Sequence, residues 1–200
     1  MKATLLILLL FFPVFSSYEE SKGTGCLQLD IMVLVDMSQS VSGHESFVKD
    51  AVGAFVNRFE FAEEGIKMGM VRFASDAYLI TELTSNKTLF HRGMFTISDA
   101  DGLTNMCDAF TIAANEFIKH GRMGVRKIAI IISDGQPTAG GNALEAAQVM
   151  KILGTTVCGI FIDAHMGQKE FLREISSEYC YVESDYENLV NELEKMDICL

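Results

Sequence analysis

The sequence predicts an α/β protein: a doubly wound, mostly parallel six-stranded sheet with one antiparallel edge strand and helices on both faces. Three observations predict it. Apolar, β-branched runs alternate with amphipathic stretches through nearly the whole chain. Several of those runs are continuously apolar, as strands covered on both faces require. Finally, 200 residues that are 49% hydrophobic and 22% charged, with 2 Pro and no Trp, suit one globular domain without repeats, Pro-rich linkers or disordered tracts.

The elements follow in order. Residues 27–35 (LQLDIMVLV) read as a buried strand. Ser42-Gly43-His44-Glu45 has capping-box spacing, and the amphipathic pattern behind it predicts a helix to about residue 64. Residues 66–74 are a second strand, Ser75-Asp76 turn the chain, and 77–81 return as a short antiparallel strand. A short helix over 87–97 and a loop at 101–105 lead to a helix over 106–120, apolar at Phe110, Ala113, Ala114, Phe117 and Ile118. Residues 125–132 (VRKIAIII) form the most hydrophobic strand beyond the leader, and Asp134-Gly135-Gln136-Pro137 breaks it. A helix over 143–153 stops at Gly154. Then come a buried strand at 155–162, a helix at 168–176 and a short edge strand at 180–183. Ser184-Asp185-Tyr186-Glu187 is a second capping box, opening a last helix to about residue 196.

Residues 1–17 stand outside this alternation. Lys2 precedes the apolar run 5–12, Pro13 breaks it and small residues follow, which is the layout of a secretory signal peptide cleaved after Ser16 or Ser17. The run is too short to span a bilayer, so no membrane insertion is expected. Five cysteines fit the oxidising compartment that a leader implies, so the chain is expected to be secreted and extracellular. A Cys26–Cys199 bond would tie the ends of the domain together, with a loop-entropy contribution of at most about 5 kcal/mol. Cys158 and Cys180 sit in β-like runs and are either paired or buried thiols. Five is an odd number, so one thiol is left over, and Cys107 has no obvious partner. Asn86-Lys87-Thr88 is the one N-x-S/T sequon, a candidate glycosylation site at Asn86. The net charge of -11 and a pI near 4.8 disfavour nucleic acid and anionic membrane surfaces.

In such a sheet, ligands bind beyond the carboxyl ends of the strands, where strand order reverses. Three loops there are rich in hard oxygen donors. The first strand runs out into Asp36-Met37-Ser38-Gln39-Ser40, the loop before the long helix holds Thr104, and the apolar strand ends in Ser133-Asp134-Gly135. Carboxylates and hydroxyls converging from three loops suit Mg²⁺ or Mn²⁺. These loops carry no His or Cys, so zinc fits them poorly.

Asp36-Met37-Ser38-Gln39-Ser40 behind an apolar strand, Gly102-Leu103-Thr104-Asn105, and Ile131-Ile132-Ser133-Asp134-Gly135 resemble the three parts of the metal-ion-dependent adhesion site (MIDAS) of von Willebrand factor type A domains. Val71-Arg72-Phe73-Ala74-Ser75-Asp76 also resembles that family's second strand. The resemblance covers residues 26–199. It implies a metal held by Asp36, Ser38, Ser40, Thr104 and Asp134, with one coordination position left for a carboxylate from a partner. Gln39, Ser75, Gln136 and Thr138 lie on loops at the rim of that site. Two departures stand out. Leu103 replaces a second Gly and is expected to reshape the Thr104 loop. Met37 stands where small residues are commoner and is expected to narrow ligand access. The last helix slides in some members; here a Cys26–Cys199 bond would restrain it.

The resemblance implies a secreted, non-enzymatic binding module whose partner is an extracellular matrix or cell-surface protein. A self-associating matrix component, a homo-oligomer with a vestigial or stabilising metal site, is the alternative. A Mg²⁺-dependent phosphohydrolase fits less well. Ser38 stands where an aspartyl nucleophile would need a second carboxylate, the three loops hold no Lys, and no G-x-S-x-G, H-E-x-x-H, C-x-x-C or P-loop motif occurs.

Overall fold

The computed structural model describes residues 28–97, 99–163 and 166–198. The expected signal peptide and the expected Cys26–Cys199 bond, with the restraint it would impose, lie outside the described residues. Six strands and six helices alternate: β1 Leu29–Asp36, α1 Glu45–Asn57, β2 Ile66–Phe73, β3 Ala77–Thr84, α2 Lys87–Phe95, α3 Met106–His120, β4 Arg126–Ser133, α4 Ala143–Ile152, β5 Thr155–Ile162, α5 Met166–Ile175, β6 Tyr181–Ser184 and α6 Leu189–Lys195. They build one six-stranded sheet in the order β3-β2-β1-β4-β5-β6. Only the β2–β3 pairing is antiparallel. The predicted fold class is the observed one.

Why the strands read as continuous apolar runs is plain from their burial. All eight residues of β1 are buried, and every residue of β4 from Ile128 on. Alternate side chains serve opposite faces. Ile31, Val33 and Val35 join β4 residues Ile128, Ile130 and Ile132 in a core closed by α1, α2 and α6. Met32 and Leu34 join Ala129 and Ile131 in a second core closed by α3, α4 and α5. Each fully buried Leu, Ile, Val, Phe or Met contributes about 1.5–3 kcal/mol of transfer free energy, so the two cores fix the register of the sheet. A disulfide joins Cys158 of β5 to Cys180, just before edge strand β6. Cys107, the free cysteine among the described residues, lies partly buried in the first turn of α3.

Local structure departs from expectation at the end of the first helix and at both capping boxes. The first helix ends at Asn57, not near residue 64. Its inward face is complete once Phe55 and Val56 are buried; Phe59 then turns into the core and Phe61 bridges to Ile66, which starts the return into β2. Nor does Ser42 act as its N-cap. His44 stands there without a side-chain cap bond, and the Glu45 carboxylate accepts from the amides of Gly43 and Ala100. The second capping box also works differently: Asp185 accepts the amide of Asn188 at 2.7 Å and closes the turn before α6, whose N-cap Asn188 makes no side-chain cap bond.

Candidate functional site

The chain leaves β1 toward β2 and β3 on one side, then returns to β4, β5 and β6 on the other, so strand order reverses between β1 and β4. Asp36 and Ser133, the last residues of these neighbouring strands, stand at that switch point. Three loops meet over it. The Met37 and Ser38 loop is tied to the Asp101–Thr104 loop by two amide bonds: Gln39 donates to the Gly102 carbonyl at 3.0 Å and Asp101 to the Met37 carbonyl at 3.0 Å. The loop beyond β4 clasps Thr104 from the other side. The Thr104 amide donates to Thr138 Oγ1 at 2.9 Å, and its carbonyl accepts the amide of Thr138 at 3.0 Å.

Close packing at these loops requires glycine twice. Gly102 has φ +79°, and a Cβ there would lie 2.4 Å from Ser75 Oγ. Gly140 has φ +81°, and a Cβ would lie 1.9 Å from Asn105 Oδ1. Both positions combine a left-handed backbone with no room for a side chain.

Within this frame the carboxylates and hydroxyls form one connected cluster. Asp36 Oδ1 accepts the Ser38 amide at 2.9 Å, and Oδ2 accepts the Ser133 hydroxyl at 2.5 Å. The Ser38 and Ser40 hydroxyls are 3.2 Å apart, and Ser40 donates to Asp134 Oδ1 at 2.7 Å. Tyr186, in the turn before α6, donates its hydroxyl to Asp134 Oδ2 at 3.0 Å. Asp36, Ser38 and Thr104 are buried while Ser40 is exposed, so the cluster grades from the sheet outward to solvent.

The charge balance of the cluster is unfavourable as it stands. Burial pushes the Asp36 carboxyl up to about 6; hydrogen bonds from Ser133 and Ser38 oppose this, and the nearby charge of Asp134 adds to it. Burial, with Asp134 beside it, also pushes the Tyr186 phenol upward. The Asp36 and Asp134 carboxylates and the hydroxyls of Ser38, Ser40 and Thr104, with no ammonium or guanidinium among them, are the donor set of a hard divalent cation. A cation there would supply the charge that the cluster lacks. The residues present therefore fit the group, and Asp36, Ser38, Ser40, Thr104 and Asp134 are those that would hold it.

The candidate metal ligands and rim residues thus all fall at this end of the sheet. Among the rim residues, Ser75 Oγ accepts from the Leu103 amide and Thr138 Oγ1 from that of Thr104. Gln39 is exposed and Gln136 partly exposed on their loops. The expectation for Met37 is corrected. Its side chain is fully buried in the core under α1, so it does not narrow access. Leu103 is 52% exposed, and its amide donates to Ser75 Oγ. Two contributors were missed. Ser133 was legible, since it precedes Asp134 in the same motif. Tyr186 was not, because it is distant in sequence and reads as a helix-capping residue.

Comparison with known proteins agrees with the fold. The sequence model of the von Willebrand factor type A domain matches residues 30–195. Among solved structures, proximal thread matrix protein 1 from the mussel byssus superimposes with a TM-score of 0.76 at 24% identity; the match covers 84% of this chain and 47% of that one. The chain thus spans about half the length of the mussel protein, one structure of which has a zinc-occupied MIDAS motif. Manganese-loaded TRAP protein of Plasmodium vivax matches with a TM-score of 0.70 at 20% identity, over 84% of this chain and 72% of that one. The von Willebrand domain of the pilus tip protein Mfa5 from Porphyromonas gingivalis matches at 0.69 and 11% identity, over 84% and 93%. Comparison with curated proteins gives no match. With 166 of its residues spanned by the family's model, the chain belongs to the von Willebrand factor type A domain family.

Proposed function

We propose that this chain is a secreted extracellular adhesion module that binds a protein ligand through a divalent cation held by Asp36, Ser38, Ser40, Thr104 and Asp134. The observation that carries this reading is the hydrogen-bonded convergence of Asp36, Ser38, Ser40 and Asp134 at the switch point, with two close carboxylates and no cationic side chain to balance them. The cation is Mg²⁺ or Mn²⁺, whose hard-donor preference this oxygen set meets; the manganese and zinc of the relatives make both metals worth including in a panel. The chain's residues arrange the donors and leave one face toward solvent at Ser40, where an acidic side chain of a partner completes the coordination. Partner contacts at the rim come from Gln39 and Gln136, with Ser75 and Thr138 holding the loops.

The proposed partner is an extracellular matrix or cell-surface protein. The proposed localisation rests on the leader-like residues 1–17 and on the disulfide between Cys158 and Cys180. No helix among the described residues is long and apolar enough to cross a membrane. Asn86 is exposed, and its Oδ1 caps α2 by accepting from the Leu89 amide, which leaves Nδ2 for a glycan. The test is binding of the mature protein to immobilised matrix proteins. Binding in Mg²⁺ that is lost in chelator and in Asp36→Ala supports the reading; equal binding in chelator overturns it.

One observation favours the second reading, a self-associating matrix component. At the far end of the sheet Ile118, Ile152, Leu153 and Met123 are exposed, and Ile118 and Leu153 line the same small hollow. Sedimentation velocity distinguishes the two: a monomer across the micromolar range removes self-association.

A further inference from the structure

Beside the carboxylate–hydroxyl cluster lies a cavity of about 280 Å³ lined by His44, Phe47, Asp163, Asp185, Tyr186 and Glu187. Its wall has two characters. One is aromatic. The His44 and Tyr186 rings stack at 4.1 Å with 13° between their planes, and Phe47 stands tilted 6.2 Å from the first and 6.4 Å from the second. Phe47 is 41% exposed although nothing polar about it favours exposure. The other is acidic: among the described residues, three carboxylates and no lysine or arginine line the cavity. His44 Nδ1, in the same wall, is buried without a hydrogen-bond partner, a cost the folded chain carries.

Tyr186 links the cavity wall to the candidate metal cluster, since its hydroxyl donates to Asp134. Outward it meets a larger hollow of about 730 Å³, which shares Asp163 and Asp185 and adds Glu183, Glu192 and Lys169. Lys169 is spent on Glu183. The acidic character therefore extends from the metal cluster along the turn before α6.

Ligand chemistry follows from this wall. An anion would face the carboxylates. The volume falls below that of drug-sized sites, so it suits one side chain. A second metal ion is a poor occupant, because both Asp185 oxygens already accept from Asn188. Aromatic faces beside carboxylates are the surroundings that bind an ammonium or guanidinium. We propose that this cavity is a second subsite for the protein ligand, taking a lysine or arginine side chain of the partner between Phe47, the His44–Tyr186 stack and the carboxylates of Asp163 and Glu187. This rests on the adhesion reading above and sharpens it: the ligand carries a basic residue close to the acidic residue that reaches the metal. It also explains how a chain of net charge -11 attracts a partner that must present a carboxylate.

The test is an NMR titration of the mature protein with N-acetyl-lysine methylamide, in chelator and in Mg²⁺. Saturable shifts at His44, Phe47 and Glu187 are expected in both, with affinity about tenfold weaker in the pair Asp163→Asn, Glu187→Gln and in Phe47→Ala. Asn suits the φ of 48° at Asp163, and Phe47 is exposed, so these variants fold. Absent shifts, or shifts that the variants leave unchanged, overturn the subsite. A Mg²⁺-dependent melting shift recorded on the same samples reads the metal site separately: its absence would sink the adhesion reading while the lysine shifts still decide the cavity.

Discussion

Strand β1 buries two aspartates, one near each end, and the chain treats them in opposite ways. Asp30 is fully buried at the amino end and is met by Arg122. That guanidinium donates Nε to Asp30 Oδ1 at 2.8 Å, and its other nitrogens go to the carbonyls of Leu29, Glu63 and Gly65 at 2.8–2.9 Å. The Arg122 amide adds a bond to Asp30 Oδ2 at 2.7 Å. Asp36 is as deeply buried at the carboxyl end, yet its partners are a serine hydroxyl, one amide and the like charge of Asp134. A buried carboxylate with its counter-charge in the same chain is architecture. A buried carboxylate whose counter-charge is missing is a candidate binding site, and the proposed cation would supply that charge.

The strongest way to break this comparison is to remove the guanidinium. Arg122→Ala leaves Asp30 buried without its counter-charge, held by the residue 122 amide, and removes the guanidinium bonds to three carbonyls, so unfolding in urea should show a loss of about 3–5 kcal/mol. Any Mg²⁺-induced stabilisation should survive it, because the two sites lie at opposite ends of β1. A loss below 1 kcal/mol would mean that Asp30 finds water or another donor, and the contrast would fail.

At the other end the expected effects are linked to metal and pH. Mg²⁺ at 100 times its dissociation constant should stabilise the wild type by about 2.7 kcal/mol, and Asp36→Asn should abolish that shift. In chelator the sign reverses. A carboxyl whose folded pKa of about 6 lies above its ordinary value of 3.8 holds its proton more tightly in the folded chain. Stability from this group is therefore full below about pH 4, falls as pH rises to about 6 and is flat above, a change of roughly 2–3 kcal/mol. Melts from pH 4 to 8 should show this slope in the wild type and lose it in Asp36→Asn. A wild type whose stability rises across that window would show that Asp36 is not the lone charge the structure makes it.

How much of this was legible from sequence follows the same division. Strand 125–132 and strand 155–162 announce themselves because residues covered on both faces leave no polar alternation to misread. The Asp36, Ser38, Ser40 and Asp134 cluster was legible because one rule, the switch point of a doubly wound sheet, makes two strand ends neighbours although they are far apart in the chain. Arg122 and Tyr186 were not. Both act across long sequence separations through a single side chain, and each sits in a segment whose local pattern suggests a loop or a helix cap. The end of α1 at Asn57 was misread for a related reason: 58–64 keep a helix-compatible composition, and only the tertiary placement of Phe59 and Phe61 stops the helix. Met37 was misread because strand-end position says nothing about which way a side chain turns.

The finest test concerns a single oxygen. Tyr186 holds Asp134 through its hydroxyl and holds His44 through its ring, so Tyr186→Phe separates the two roles. The stack stays, so the fold should lose only about 1 kcal/mol, the ordinary net worth of one hydrogen bond. Asp134, freed on one side, would still be held by Ser40, but its orientation would no longer be fixed before a cation arrives. Outer hydrogen bonds of this kind are typically worth 10–100-fold in metal affinity. Because this one joins two groups at the solvent edge, the lower end is expected, about tenfold for Mg²⁺ by calorimetry. Affinity that improves instead would mean that the phenol competes with the cation for Asp134, and Tyr186 would then guard the site rather than prepare it.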